Sequence, residues 1–95
     1  MKNHTVIAPA PDTLYSMIDG EAVILSTEAE AYISLNEVGS RIWQLISERP
    51  HSVGELVSQL TGEFEVAAEQ CRREIGEFFD TLSARGLIVS HSSEN

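Results

Sequence analysis

Residues Tyr32 to Ile46 read YISLNEVGSRIWQLI, and the change of period inside this stretch decides the fold. Ala31 to Leu35 alternate large apolar with smaller or amphipathic side chains, the period-2 pattern of a half-buried strand. Asn36 follows as an N-cap, its side-chain oxygen free to accept from an unpaired backbone N–H. From there Val38, Ile42, Leu45 and Ile46 recur at helical spacing. Gly39 and Trp43 lie four apart on the adjoining flank, which places the indole beside a close backbone approach at Gly39. The stretch therefore predicts a strand that runs into a helix with no loop between them. The other elements are expected to pack against that corner.

Upstream, Leu14 to Ile18 is strand-like, and Asp19-Gly20 is a strong hairpin signal because a tight primed turn needs positive φ. Glu21 to Thr27 pairs back as a second strand, and the three strands predict an antiparallel meander whose last strand is an open edge. Downstream, Pro50 stops the first helix, expected over about 37–48. Ser52 and Glu55 have capping-box spacing and open a short helix with Val53, Leu56, Val57 and Leu60 inward, closed by Thr61-Gly62. The third helix, about 67–84, has an inner stripe of Cys71, Ile75, Phe78 and Leu82. Arg72, Gly76, Phe79 and Ser83 form a flanking stripe. Gly86 is expected just past its end, with Leu87 to Val89 extended again. Residues 1–13 hold Pro9 and Pro11 and little pattern, and read as an extended, partly loose arm. Residues 14–89 read as the domain and 90–95 as a flexible tail. The fold class expected is α+β: a three-stranded antiparallel sheet followed by three helices, similar to a winged helix-turn-helix.

Ninety-five residues suffice for one core. Fifteen acids against six bases give a net charge of −9, which argues against nucleic acid or an anionic membrane as partner. A single cysteine, Cys71, allows no internal disulfide, and no apolar run approaches signal or transmembrane length. A cytoplasmic protein is expected. His4, His51 and His91 lack metal-ligand spacing, and Cys71 on an inner stripe reads as a small buried hydrophobe. The glycines are scattered singly, so there is no phosphate loop. No serine follows an aspartate, so there is no acyl-carrier attachment sequence. No catalytic set, metal or cofactor is expected.

The ordered pattern Tyr32-x-x-Leu35-Asn36-x-x-Gly39-x-x-Ile42-Trp43 resembles the PqqD-like family, also called RiPP recognition elements. The later half is similar in kind: Val53-x-Glu55-Leu56-Val57-x-x-Leu60, Phe64-x-Val66, Phe78-Phe79, and Leu82-x-x-Arg85-Gly86-Leu87-Ile88. One departure is Ala67, where the family usually has a polar helix cap. The resemblance implies a non-catalytic domain that binds the leader segment of a ribosomally made precursor peptide. The leader is expected as an antiparallel strand on the third strand, packed beside the third helix. Tyr32 with Ile42-Trp43 looks most like the discrete binding proteins of lasso-peptide pathways, whose partner is a transglutaminase-like leader peptidase. The sister role is the precursor chaperone of pyrroloquinoline quinone biosynthesis, working with a radical SAM enzyme. A winged-helix nucleic-acid binder is the rival of another class, disfavoured by Glu69, Glu74, Glu77 and Asp80 on the third helix.

The residues themselves supply a physical route to such binding. An unpaired edge exposes N–H and C=O groups that another extended chain can satisfy, while side-chain pockets supply selectivity. The candidate groove is Glu30, Ala31, Tyr32, Ile33 and Ser34 on the strand, with Arg72, Ile75, Gly76, Phe79 and Ser83 on the helix. Trp43 and Phe79 read first as core residues; the alternative for Phe79, beside Arg72 and the side-chain-free patch at Gly76, is an apolar slot facing the sheet edge. Glu28, Glu30 and Glu37 around the third strand read first as a solvated rim; the alternative is an acidic border that favours basic residues in an incoming peptide.

Overall fold

The predicted corner is present in the computed structural model, which describes residues 5–27 and 31–92. In chain order the elements are β1 (Thr5–Pro9), β2 (Thr13–Ile18), β3 (Glu21–Ser26), β4 (Ala31–Ser34), α1 (Glu37–Glu48), β5 (His51–Ser52), α2 (Val53–Glu63), α3 (Ala68–Ala84) and β6 (Ile88–Ser92). The α+β class holds, with three helices and antiparallel sheets. The meander forms in the order β2-β3-β4, and its Asp19-Gly20 turn has φ of 54° and 83°, the positive values that a two-residue primed turn requires.

A second sheet, β5-β1-β6, corrects the reading of the two chain ends. Thr5–Pro9 is its middle strand rather than a loose arm, pairing with β6 from Thr5↔Ser92 to Pro9↔Ile88 and with β5 at Val6 and Ile7. Burial of Ile7 and Ala10 drives the docking. The tail expected to be flexible from residue 90 is likewise paired as far as Ser92.

One hydroxyl holds the corner together. The Ala22 N–H donates to Ser40 Oγ at 2.7 Å, and that hydroxyl donates to the Leu35 carbonyl at 3.2 Å. Leu35 N–H reaches the Ala22 carbonyl directly at 2.8 Å. Ser40, on the first turns of α1, thus replaces the missing half of the last β3–β4 rung at the point where the chain leaves the sheet. Asn36 caps α1 by accepting from Gly39 N–H at 2.8 Å. The expected Ser52–Glu55 capping box opens α2, which runs on through Gly62 to Glu63 before Phe64 ends it. Ala67 offers α3 no side-chain cap. At the far end Gly86, φ 72°, lets Gly86 N–H bond Ser83 O and Leu87 N–H bond Leu82 O, a Schellman closure.

The core lies between the helices and the inner faces of both sheets, with Trp43, Ile24, Ile46, Leu56, Leu60, Leu82 and Leu87 at its centre. Trp43 meets the Tyr15 ring edge-on at 6.4 Å. The close approach at Gly39 is made by a different ring from the one expected: a β-carbon there would lie 3.2 Å from Phe78.

Two stability outcomes follow from these contacts. Ser40→Ala leaves the buried Ala22 N–H unpaired and lowers unfolding free energy by about 1–3 kcal/mol, read as a lower urea midpoint at unchanged slope; an unmoved midpoint refutes the bridging role. Arg41 grips Glu63 through Nε at 2.8 Å and Nη2 at 2.9 Å. Those bonds, then one from Gln59, hold the Glu63 carboxyl down to about 2. The pair is solvent-accessible, so Glu63→Gln costs less than about 1 kcal/mol at neutral pH. Because the folded-state value is depressed, this contribution is present above the ordinary 4.5 and is lost as pH falls toward about 2. The wild-type and variant melting curves converge across that window.

Candidate functional site

The geometry of β4 begins with which way its backbone points. Along a strand, the N–H and C=O of one residue point to one side and those of the next to the other. Leu35 N–H is bonded to Ala22 on β3, so Ile33 and Ala31 also face β3, as their partners Ile24 and Ser26 require. Tyr32 and Ser34 therefore turn their N–H and C=O groups outward. Among the described residues no strand pairs with that side of β4. The edge carries neither proline nor lysine, two common devices for blocking strand addition.

Side chains alternate across the same strand. Ile33 points inward, half-buried against the core, whereas Tyr32 is 70% exposed and Ser34 is exposed. Tyr32 lies opposite Leu25, and Leu25 opposite Leu14, so the three form a row on the outer face of the meander. Ile18 is on that face too, and Leu14, Ile18 and Leu25 are each exposed. The inner face is Ala22, Ile24 and Ser26, all fully buried.

Just past the C-terminal end of β4 an open pocket of about 410 Å³ lies between the start of α1, the end of α2 and one side of α3. Val38, Gly39 and Ile42 form one wall, Leu60, Phe64 and Val66 a second, and Cys71, Ile75 and Phe78 a third. Glu65 and Glu74 stand exposed within the lining, and Gln70 Nε2 donates to Glu74 at 2.9 Å. Burial, and secondarily the Glu74 charge, push the Cys71 thiol up, which leaves it a poor nucleophile.

The expected groove residues divide against this geometry. Tyr32 and Ser34 form the outward edge, Ala31 and Ile33 bond inward through their backbones, and Glu30 lies outside the described residues. Ile75 is buried at the pocket wall. Arg72 and Ser83 are exposed and Gly76 is half-buried beside open space, but none of the three lines the pocket. The expected slot at Phe79 is corrected: Phe79 is in the core at 6% exposure, and Phe78, packed 5.8 Å from it, is the ring that lines the cavity. Helical period alone separates them poorly, since they lie about 45° and 55° to either side of the buried stripe. Gly39 is the discriminating signal, because its missing side chain makes room for Phe78. Val38, Phe64 and Val66 are pocket residues that the strand-and-helix reading left out.

Charge is distributed unevenly. From Thr5 to Ser40 there is no Lys, Arg or His, against Asp12, Asp19, Glu21, Glu28, Glu30 and Glu37. Among the described residues no three metal-ligating side chains cluster, and no helix is long and apolar enough to cross a membrane.

Comparison with known proteins places this geometry in context. The sequence profile of the family described as "Coenzyme PQQ synthesis protein D (PqqD)" matches residues 21–88. No curated protein matches the sequence. Among solved structures, the chain is similar to that described as "TbiB1 in Complex with the TbiA(beta) Leader Peptide", at 29% identity and a TM-score of 0.78, covering 85% of this chain and 93% of that one. It shares its fold with "Lasso peptide synthetase B1 complexed with the leader peptide", at 24% identity and a TM-score of 0.77, covering 87% of this chain and 96% of that one.

Proposed function

The chain belongs to the PqqD family, as a RiPP recognition element, and we propose that it binds the leader segment of a ribosomally made precursor in lasso-peptide biosynthesis. The observation that carries this reading is the outward-facing edge of β4 beside an open apolar pocket, on a fold 29% identical to a protein solved with a leader peptide. The leader adds as an antiparallel strand: Tyr32 and Ser34 supply the ladder, and Phe78 and Ile75 receive apolar side chains. The role is recognition rather than catalysis, in the cytoplasm. The only thiol is buried with its ionisation suppressed, and the described histidines His51 and His91 lie in the other sheet. Nucleic acid is a poor partner for α3, whose Arg72 and Arg73 are outnumbered by Glu69, Glu74, Glu77 and Asp80.

The bound precursor then passes to a processing enzyme, which we take to be a transglutaminase-like leader peptidase. The outer face of the meander suits that contact. Leu14, Ile18, Leu25 and Tyr32 make it apolar, Asp19 and Glu21 border it, and it is separate from the pocket. An apolar surface edged by Lys or Arg is its complement.

Titration calorimetry with a synthetic leader tests the first step. Ser34→Pro deletes an outward N–H and weakens binding about tenfold, while Ser34→Ala, which keeps it, does not. Phe78→Ala, losing an apolar wall, weakens binding by a similar factor. Full affinity in folded Ser34→Pro and Phe78→Ala variants removes the proposed groove. For the second step, the Leu14→Asp/Ile18→Asp variant keeps leader affinity within about twofold but slows leader removal about tenfold or more. Unchanged cleavage shows that the peptidase docks elsewhere.

A further inference from the structure

The meander has a second outer strand, β2, and the ladder fixes which groups it presents. Leu35 bonds Ala22, so the even-numbered residues of β3 face β4, and Glu21, Val23 and Leu25 face β2. Their partners Ile18, Ser16 and Leu14 therefore bond inward, and the Thr27 N–H to Asp12 carbonyl bond at 3.2 Å continues the series. Tyr15 and Met17 turn their N–H and C=O groups the other way, and among the described residues no strand pairs with that side. Their side chains lie opposite Ile24 and Ala22 on the inner face of the sheet, yet both are exposed at its margin. An added strand there meets Tyr15 and Met17 on one face and Leu14 and Ile18 on the other, all four exposed and apolar in body. β2 holds no proline and no charged residue, while Asp12 and Asp19 stand just outside its two ends.

We propose that β2 is a second strand-addition edge, which takes from the processing enzyme an extended apolar run with Lys or Arg at both ends. The inference rests on the outer meander face being that enzyme's docking surface, and adds a main-chain contact to it. Leu14 and Ile18 of that face belong to β2, so a segment paired with β2 continues the surface they form. Apolar residues are needed on both faces of the segment, because both faces of β2 are apolar. Cations are needed at its ends, where Asp12 and Asp19 lie about 23 Å apart along an extended chain. No Lys, Arg or His between Thr5 and Ser40 competes for those carboxylates. A second copy of the chain is the wrong occupant, since antiparallel pairing of two β2 strands sets Asp12 of one against Asp19 of the other. With the leader on β4, the two edges are filled at once by different chains four strand spacings apart, about 19 Å.

The test uses the whole chain, a synthetic leader and the purified leader peptidase. Amide exchange followed by NMR is expected to show Tyr15 and Met17 slowed about tenfold or more when the peptidase is added, and unchanged by leader alone. Met17→Pro deletes an outward N–H and slows leader removal about tenfold, whereas Met17→Ala, which keeps it, slows removal less than about threefold. Emission of Trp43, the sole tryptophan and in edge contact with Tyr15, reports that each variant is folded. Should Met17→Pro not fold, Met17→Lys takes its place, since a lysine on the edge repels the incoming cations, and the same slowing is expected. Overlapping synthetic peptides from the peptidase, offered to the leader-saturated chain, identify the segment. A bound segment without flanking Lys or Arg overturns the stated chemistry. If Leu14→Asp/Ile18→Asp slows leader removal but the Met17 variants do not, the edge contact is overturned and the outer-face docking stands. If neither slows it, the docking reading falls and takes the inference with it. Dimers of the chain that Met17→Pro dissolves assign the edge to a second copy, and overturn the inference as well.

Discussion

The Ser40 hydroxyl is the contact on which the arrangement of the site depends. A strand that becomes a helix without a loop must give up its ladder partner at the junction, and here the orphaned pair is Ala22 N–H and Leu35 C=O. Ser40 satisfies both from one turn inside α1. The same hydroxyl therefore sets the angle at which α1 leaves the sheet. It also fixes the parity of β4: with Leu35 locked toward Ala22, Tyr32 and Ser34 turn outward. A shift of the junction by one residue would present Ile33 and Ala31 to solvent instead and bring the Tyr32 side chain into the core.

The features readable in the sequence are those whose physics is local. Asp19-Gly20, Asn36, the Ser52–Glu55 box and Gly86 each act within a few residues, and each is found where its chemistry predicts. What escaped reading depends on partners far along the chain. β1 looks like an arm because its ladder partners are β5 and β6, and because Pro9 and Pro11 dilute its apolar pattern. His51–Ser52 is too short to show a period at all. At the site, a free edge on the third strand was legible from the meander, but the parity of its backbone was not, since that is decided by a serine six residues past the strand. The exchange of Phe79 for Phe78 has a similar origin. Two adjacent rings straddle one helical stripe, and the choice between them is made across the fold at Gly39, where a ring edge occupies the space of a side chain.

The acidity of the chain and the openness of β4 are complementary. Exposed edges invite self-association, and β4 has none of the usual blocking residues in its sequence. The stretch from Thr5 to Ser40, which includes both edges of the meander, is without a single base. Two copies approaching edge to edge bring like charges together, which costs free energy. A neutral or cationic extended peptide meets no such barrier. The charge that disfavours edge-to-edge pairing of two copies would thus favour a different class of chain in the proposed role.

Length limits what that edge contributes alone. Tyr32 and Ser34 present two donors and two acceptors between them, and four backbone hydrogen bonds at about 1 kcal/mol net amount to about 4 kcal/mol. Micromolar affinity corresponds to about 8 kcal/mol, before the loss of freedom of an extended peptide is counted. In the proposed complex the ladder therefore aligns the peptide and gives it direction, but it cannot hold it alone. Burying one large apolar side chain supplies about 1.5–3 kcal/mol, so two or three seated against Ile33, Ile75 and Phe78 are needed to close the difference. On the proposed binding mode, that requirement is met by a four-residue edge coupled to a pocket formed by all three helices.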